Sequence, residues 1–307
     1  MRLIFPIIDG EVNHNTMTTK YPIYVISKGR HDCCLTADFL LKDGVDFHIV
    51  IEPQELELYL QKYPRELIYV LPFSNLGQGS IPARNWCWEH AKEQGHKRHW
   101  IIDDNIRQIR RLYKGKRIVC NSKIAFDVVE EFVDRYENIA VSGLNYTFFV
   151  MPTLKHPFFL NTHVYSCLLI DNNIPQRWRG RYNEDTDLCL QVLSAGYCTV
   201  AFNTFMTDKM ATMTMKGGNA TELYKGDGRL KMSRSLERVW PGVVETDRRF
   251  GRPQHKVKNE WQKFDNELIR RTDIDWNEIE NKKWDIKLTA VDEIKSNRLK
   301  NLLDDTN

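Results

Sequence analysis

The stretch His99-Trp100-Ile101-Ile102-Asp103-Asp104-Asn105 constrains the fold more than any other. A short apolar run of this kind is a buried strand. It stops abruptly in two carboxylates and a carboxamide, and unpaired charge in a core is very costly. Those side chains therefore belong just past the carboxyl end of a central strand, in the crevice where open α/β sheets take ligands. Hard oxygen donors there suit Mg²⁺ or Mn²⁺ shared with a diphosphate. The plainer alternative is a polar turn, since Asp and Asn are common after strands.

Upstream, Tyr21 to Ser27 is β-rich and stops at Lys28-Gly29-Arg30. A helical pattern over Leu35 to Leu41 closes at Asp43-Gly44, and Phe47 to Ile51 forms a second strand ending in Glu52. Glu55 to Lys62 reads as a helix and Leu67 to Leu71 as a third strand. Alternation at this spacing indicates parallel βα units. A loop carrying Gly77 and Gly79 then enters a helix over Pro82 to Lys92, with Pro82 in its first turn. Free N–H groups at a helix start attract phosphate, and Arg84 adds a forked donor. Gly77, Arg84 and Asn85 are thus candidate phosphate contacts, the alternative being that Arg84 pairs with a surface acid.

After Asn105 the chain turns basic, with Arg107, Arg110, Arg111, Lys114, Lys116 and Arg117 around Tyr113 and no acid among them. A solvated face normally mixes signs, so this run is a candidate surface for a phosphodiester backbone. Phe126 to Tyr136 follows as a helix, then strands at Ile139 to Ser142, Tyr146 to Met151 and His163 to Ile170. A cationic, aromatic loop from Arg177 to Tyr182 leads into Asn183-Glu184-Asp185-Thr186-Asp187 and a helix closed by Gly196. Favourable dipole contacts at a helix start explain one such carboxylate well and three poorly. Beyond a strand at Cys198 to Phe202 lie Lys209 and a Lys216-Gly217-Gly218-Asn219 loop whose lysine can reach phosphate. The tail from Gln262 is helical in pattern, with Trp261, Trp276 and Trp284 as packing anchors.

With 307 residues, 42% hydrophobic and 28% charged, the chain has the make-up of a soluble globular protein. A formal charge of +3 is mild, so a polyanion would be held by local patches. Seven cysteines show no C-x-x-C pair and no zinc spacing, which suits reduced thiols and a cytoplasmic location. No apolar run approaches the ~18 residues of a membrane span, and Met1 to Gly10 lacks the layout of a signal peptide. The expected organisation is a catalytic domain over 1–252 and a helical C-terminal extension over 253–307.

The glycine loop, the strand ending in Asp-Asp-Asn and the later Glu-Asp pair together resemble a GT-A glycosyltransferase, an α/β fold with a Rossmann-like mixed central sheet flanked by helices. More narrowly, Ile81-Pro82-Ala83-Arg84-Asn85-Trp86, His99 to Ile106, Tyr182 to Leu188 and Lys216 to Asn219 resemble the motifs of the TET-associated glycosyltransferases. These are phage-encoded enzymes that place sugars on 5-hydroxymethylpyrimidines in DNA. The similarity runs from about Tyr21 to Tyr224.

The resemblance implies a UDP-sugar donor, UDP-glucose or UDP-GlcNAc, and an acceptor DNA containing 5-hydroxymethylcytosine in the host cytoplasm. Ser27, Arg30 and Glu52 would hold the nucleobase and ribose, and Asp103 the ribose. Asp104 and Asn105 would flank a divalent metal and the diphosphate, although Asn105 stands where a D-x-D triplet has its last acid. Asp185 would be the general base of an inverting transfer and Glu184 would orient the sugar or the base. Arg84, Lys209 and Lys216 would offset leaving-group charge. Arg107, Arg110, Arg111, Lys114, Arg177 and Arg179 would face DNA, with Trp178, Tyr182 and Tyr113 available for stacking or wedging. The alternatives are a glycan or protein acceptor, and a DNA-binding protein without catalysis.

Overall fold

The βα alternation expected from Tyr21 onward forms in the computed structural model, which describes residues 18–210, 215, 227–249, 251–261 and 263–281. In chain order the first half holds β1 (Ile23–Ile26), α1 (Leu35–Asp43), β2 (His48–Ile51), α2 (Leu56–Leu60), β3 (Ile68–Val70), α3 (Ile81–Glu93) and β4 (Arg98–Asp103). These four strands lie parallel in the order β3-β2-β1-β4. Ile26 pairs with Asp103, so the carboxyl ends of β1 and β4 meet. A parallel sheet covered on both faces requires strands that are apolar throughout. The β4 residues Trp100, Ile101 and Ile102 are fully buried accordingly.

The second half adds β5 (Ile106–Tyr113), β6 (Lys116–Val119), α4 (Ser122–Val133), β7 (Ile139–Tyr146), β8 (Phe158–Leu160), β9 (Cys167–Asp171), α5 (Glu184–Ser194) and β10 (Cys198–Lys209). The ten-stranded sheet runs β3-β2-β1-β4-β9-β7-β10-β5-β6, with β8 beside β10. Antiparallel β9 joins β4 to β7, which makes the sheet mixed. Trp100, Phe126, Phe132 and Phe202 fill one face; Tyr24, Trp88, Trp178 and Leu188 fill the other. Beyond the sheet come α6 (Gly228–Val239), β11 (Val244–Arg249), β12 (Arg252–Val257) and α7 (Trp276–Asn281). Leu236, Val244 and Val257 from this segment pack on Leu190 of α5.

The structure departs from the expected elements at several places, among them β10, which runs on to Lys209. β7 ends at Tyr146, and 147–149 is a turn despite its aromatic residues. The strand expected from His163 begins only at Cys167, because Ser166 has left-handed backbone (φ 59°). Strand propensity records fit to a pleated, half-buried surface, and here close packing overrides it. The basic run after Asn105 is a hairpin turned by Lys114 (φ 46°) and Gly115 (φ 70°), as a two-residue turn with both residues at positive φ requires. Finally, residues 252–257 form a strand across the expected domain boundary, and helix among the described residues beyond it is limited to a 3-10 turn at Lys258–Trp261 and α7. Trp276 does anchor, 5.5 Å from the Tyr136 ring; Trp284 lies outside the described residues. No described helix is long and apolar enough to cross a membrane, and all seven cysteines are unpaired.

Candidate active site

The junction of β1 and β4 builds the floor of a cavity of about 980 Å³. Asp104, 4% exposed, accepts hydrogen bonds from the Ser27 hydroxyl at 2.6 Å and from the Arg30 guanidinium. The Tyr59 hydroxyl donates to Ser27 Oγ at 2.6 Å and fixes its direction. Burial raises the Asp104 carboxyl above its ordinary pKa, with Arg30 and Ser27 only partly opposing. Asp103 is different. Arg84 Nη2 meets Oδ1 at 2.9 Å, while Lys209 Nζ at 2.8 Å and Ser166 Oγ at 2.6 Å donate to Oδ2. Burial would raise this carboxyl, but Lys209 and Arg84 outweigh it and hold it well below the usual range.

Arg84 rises from the first turn of α3 and is 2% exposed, its guanidinium 4.5 Å from the Trp178 ring. Besides Asp103 it faces Glu184 Oε1 at 3.8 Å and Asp185 Oδ1 at 3.6 Å, both on the first turn of α5. Ser80 links the groups by donating to Glu184 Oε1 at 2.9 Å and accepting from Arg84 Nε at 3.2 Å. Asp185 Oδ1 and Arg84 Nη1 are each buried without a hydrogen-bond partner. Burial pushes the Asp185 carboxyl up to about 7, against Arg84 and with help from Glu184 and Asp103. The helix dipole favours ionisation by only ~1 kcal/mol, less than one pKa unit, so desolvation wins.

A resident divalent ion does not fit these residues. Each oxygen of Asp104 already accepts from a neighbour, Ser27 or Arg30, and the two of Asp103 accept three hydrogen bonds, from Arg84, Lys209 and Ser166, so a cation would have to compete with fixed positive charge at both. Asn105 Oδ1 is buried and unpartnered, but it is one neutral donor where Mg²⁺ or Mn²⁺ needs several oxygens. Among the described residues no group of His, Cys, Asp and Glu is placed to hold a metal. Fixed cations, Arg30 beside Asp104 and Lys209 with Arg84 beside Asp103, stand in the region where the ion is expected.

The cavity brings together Ser27, Arg30, Glu52, Arg84, Asp103, Asp104, Asn105, Glu184, Asp185 and Lys209. Glu52 is held by Lys28 at 2.8 Å; burial raises its pKa, but Lys28, Gln54 and the Asn75 N–H bring it below its ordinary value. Gly77 does not line the cavity, although Gly79 and Ser80 of the same loop do. Asn85 is turned away, donating to the Trp178 carbonyl at 2.9 Å and accepting from its N–H at 3.1 Å. Lys216 lies outside the described residues.

Four of the six cations expected to face DNA have acid partners. Arg107 and Arg110 share Asp208 at 2.7 and 3.1 Å. Arg177 meets Glu89 at 2.7 Å, and Arg179 meets buried Asp187 at 2.9 Å. Arg111 and Lys114 flank the exposed Tyr113 ring at 5.3 and 5.4 Å. Trp178, 2% exposed, is a packing plate under Arg84, whereas Tyr182 lines the cavity.

Several lining residues carried no sequence signal. Ser166 reaches Asp103 only through its left-handed backbone, and Tyr146 Oη lies 2.7 Å from Ser166 Oγ. Thr186 Oγ1 joins Tyr165 Oη and His255 Nε2, both at 3.2 Å. Burial lowers His163 and His255 to about 4, so both rings are neutral near pH 7.

Comparison with known proteins bears on this geometry. The human GREB1-like protein is 25% identical over 262 residues, covering 74% of this chain and 13% of that protein, so the chain spans only about 13% of that curated relative. A solved structure from Desulfovibrio desulfuricans G20, described as a nucleotide-diphospho-sugar transferase, is similar at 11% identity and a TM-score of 0.32, over 60% of this chain and 80% of that one. The sequence model of the TET-Associated Glycosyltransferase family matches residues 21–218. That span runs from β1 past the end of β10 and takes in every strand of the large sheet, and the chain belongs to the TET-Associated Glycosyltransferase family.

Proposed function

We propose that the protein transfers a sugar from a UDP-sugar, UDP-glucose or UDP-GlcNAc, to the hydroxyl of 5-hydroxymethylcytosine in DNA, inverting the anomeric carbon. The observation that carries this reading is Asp185, a cavity-lining carboxylate raised to about 7 whose buried Oδ1 makes no hydrogen bond and has Arg84 Nη1 at 3.6 Å as its ion-pair partner. A hydroxymethyl alcohol is not ionised near neutral pH, so attack requires a base poised there. Asp185 takes the hydroxyl proton as the oxygen bonds to the sugar C1, and the bond from C1 to the diphosphate oxygen breaks. UDP departs with its new charge opposite Lys209 and Arg84, cations already fixed before the reaction. Glu184, held by Ser80, orients the sugar.

The nucleoside end lies at Ser27, Arg30 and Glu52. A carboxylate has about four lone-pair positions, and Asp103 uses three, leaving one for a ribose hydroxyl. No step is assigned to a metal ion. The test is incubation of the protein with hydroxymethylated and plain DNA and a panel of nucleotide sugars, followed by nucleoside mass spectrometry. A gain of one hexose or one N-acetylhexosamine on the hydroxymethylated base alone supports the reading. No gain with any donor overturns it.

A further inference from the structure

Five aromatic rings that no role yet explains line one side of the cavity. Phe149 stacks on Tyr146 (centroids 5.6 Å apart, planes at 17°), and Tyr146 lies 5.9 Å from Tyr165. Tyr165 stacks on His163 at 4.4 Å, and His163 lies 5.8 Å from Trp261. The wall leads to the candidate base, because the Tyr165 hydroxyl meets Thr186, next in the chain to Asp185. Rings stacked on one another and facing a cavity form a surface for a flat, aromatic guest.

Beside this wall, Phe148 is 77% exposed with its ring 5.5 Å from that of the cavity-lining Phe149, and Met151 is 59% exposed. The loop that carries them is not slack. Thr147 donates twice to the Thr207 carbonyl, Phe149 N–H donates to Tyr146 at 2.9 Å, and Val150 is fully buried. Arg117 of the basic hairpin donates to the Val150 carbonyl at 2.8 Å. The hairpin turn also touches the loop, since a Cβ on Gly115 would lie 3.7 Å from the Pro152 carbonyl oxygen. Arg110 to Arg117 carries five cations and no acid. A rigidly offered aromatic side chain therefore stands between a cationic ribbon and an aromatic-walled cavity.

We infer that Phe148 is a wedge that enters a nucleic-acid duplex beside the acceptor nucleotide, and that the Phe149-Tyr146-Tyr165-His163 wall receives the extruded base. This rests on the proposed DNA acceptor. The cationic hairpin argues for a phosphate backbone as the partner rather than a neutral protein surface. Asp185 lines a cavity and its Oδ1 is shielded from solvent, so a hydroxyl held inside a duplex reaches it only if its base leaves the stack. An inserted apolar side chain fills the vacated space and disfavours return.

The experiment compares wild type with Phe148→Ala on three acceptors: duplex hydroxymethylated DNA, the same strand alone, and a duplex with an abasic site opposite the target. Phe148 is exposed, so the substitution leaves folding intact. The wedge predicts a loss in kcat/KM of about tenfold or more on the intact duplex, and less than about threefold on the single strand and the abasic duplex, where little stacking has to be broken. It also predicts that 2-aminopurine beside the target brightens when wild type binds the duplex with UDP, and not with Phe148→Ala. Equal losses on duplex and single strand, or no loss on either, overturn the wedge while leaving the acceptor reading standing. If wild type glycosylates no hydroxymethylated strand at all, but does modify a protein or glycan, the acceptor reading itself falls.

Discussion

Arg84 meets three carboxylates from inside the fold, and one of them, Asp185, stays protonated to about pH 7. The pH dependence follows with a definite sign. A base acts only when deprotonated, so kcat should fall as pH drops through about 7 and level off above it. Asp185→Asn should lower kcat by at least ~10³-fold while donor affinity stays within about threefold, since a neutral amide cannot accept the proton. Lys209→Met should weaken UDP-sugar binding by roughly 10- to 100-fold in calorimetry, because it leaves Asp103 short of a buried partner and removes a cation facing the diphosphate. Chelation by EDTA should leave that calorimetric affinity unchanged; a tenfold loss would show that a metal completes the site. Asp103, Glu184 and Asp185 were legible in the sequence because charge beside an apolar run has few places to go. Ser166 was not, since its role depends on a φ of 59°, and Asn85 was misread because the backbone it holds, at Trp178, is remote in sequence.

The elements that bear the site were readable where one period dominated. The short apolar strands between helices of the first half fall where expected, because hydrophobic runs bounded by glycine, proline and charge leave little freedom. The second half was harder. Tyr146 to Met151 and His163 to Ser166 have strand-like composition, yet both are cavity-lining loops, and composition cannot distinguish an aromatic facing a core from one facing a ligand. The Lys114-Gly115 turn was readable in principle, since glycine supplies its positive φ. Gly143 of β7 shows the closeness of the second half: a Cβ there would lie 2.0 Å from the Cys167 carbonyl oxygen and 2.7 Å from Val164 Cγ1. The Cys167 backbone cannot yield without moving its chain neighbour Ser166. Gly143→Ala should therefore lower Tm by at least ~5 °C in calorimetry and reduce activity further than its stability loss explains.

Across the whole molecule, charge is distributed more evenly than the sequence suggested, because folding brings Asp208 and Glu89 to arginines far from them in the chain, and Asp187 to nearby Arg179. The hairpin tip remains the surface where added acid should be felt most. Replacing Lys114 and Lys116 by Glu should weaken DNA binding in anisotropy titrations and make the slope of log K against log salt shallower by about 2. Transfer to a free hydroxymethyl nucleoside should not change. The family match ends at residue 218, yet Gln254, His255 and Lys256 of β12 line the cavity, and α6 is tied to the start of α5 by the Asn183 side chain on the Met232 carbonyl at 2.8 Å. This segment walls part of the cavity that holds Asp185. On the proposed role of Asp185, a protein cut back to the family-matching span should let water compete with the acceptor alcohol, read as release of free sugar from the donor when no acceptor is present.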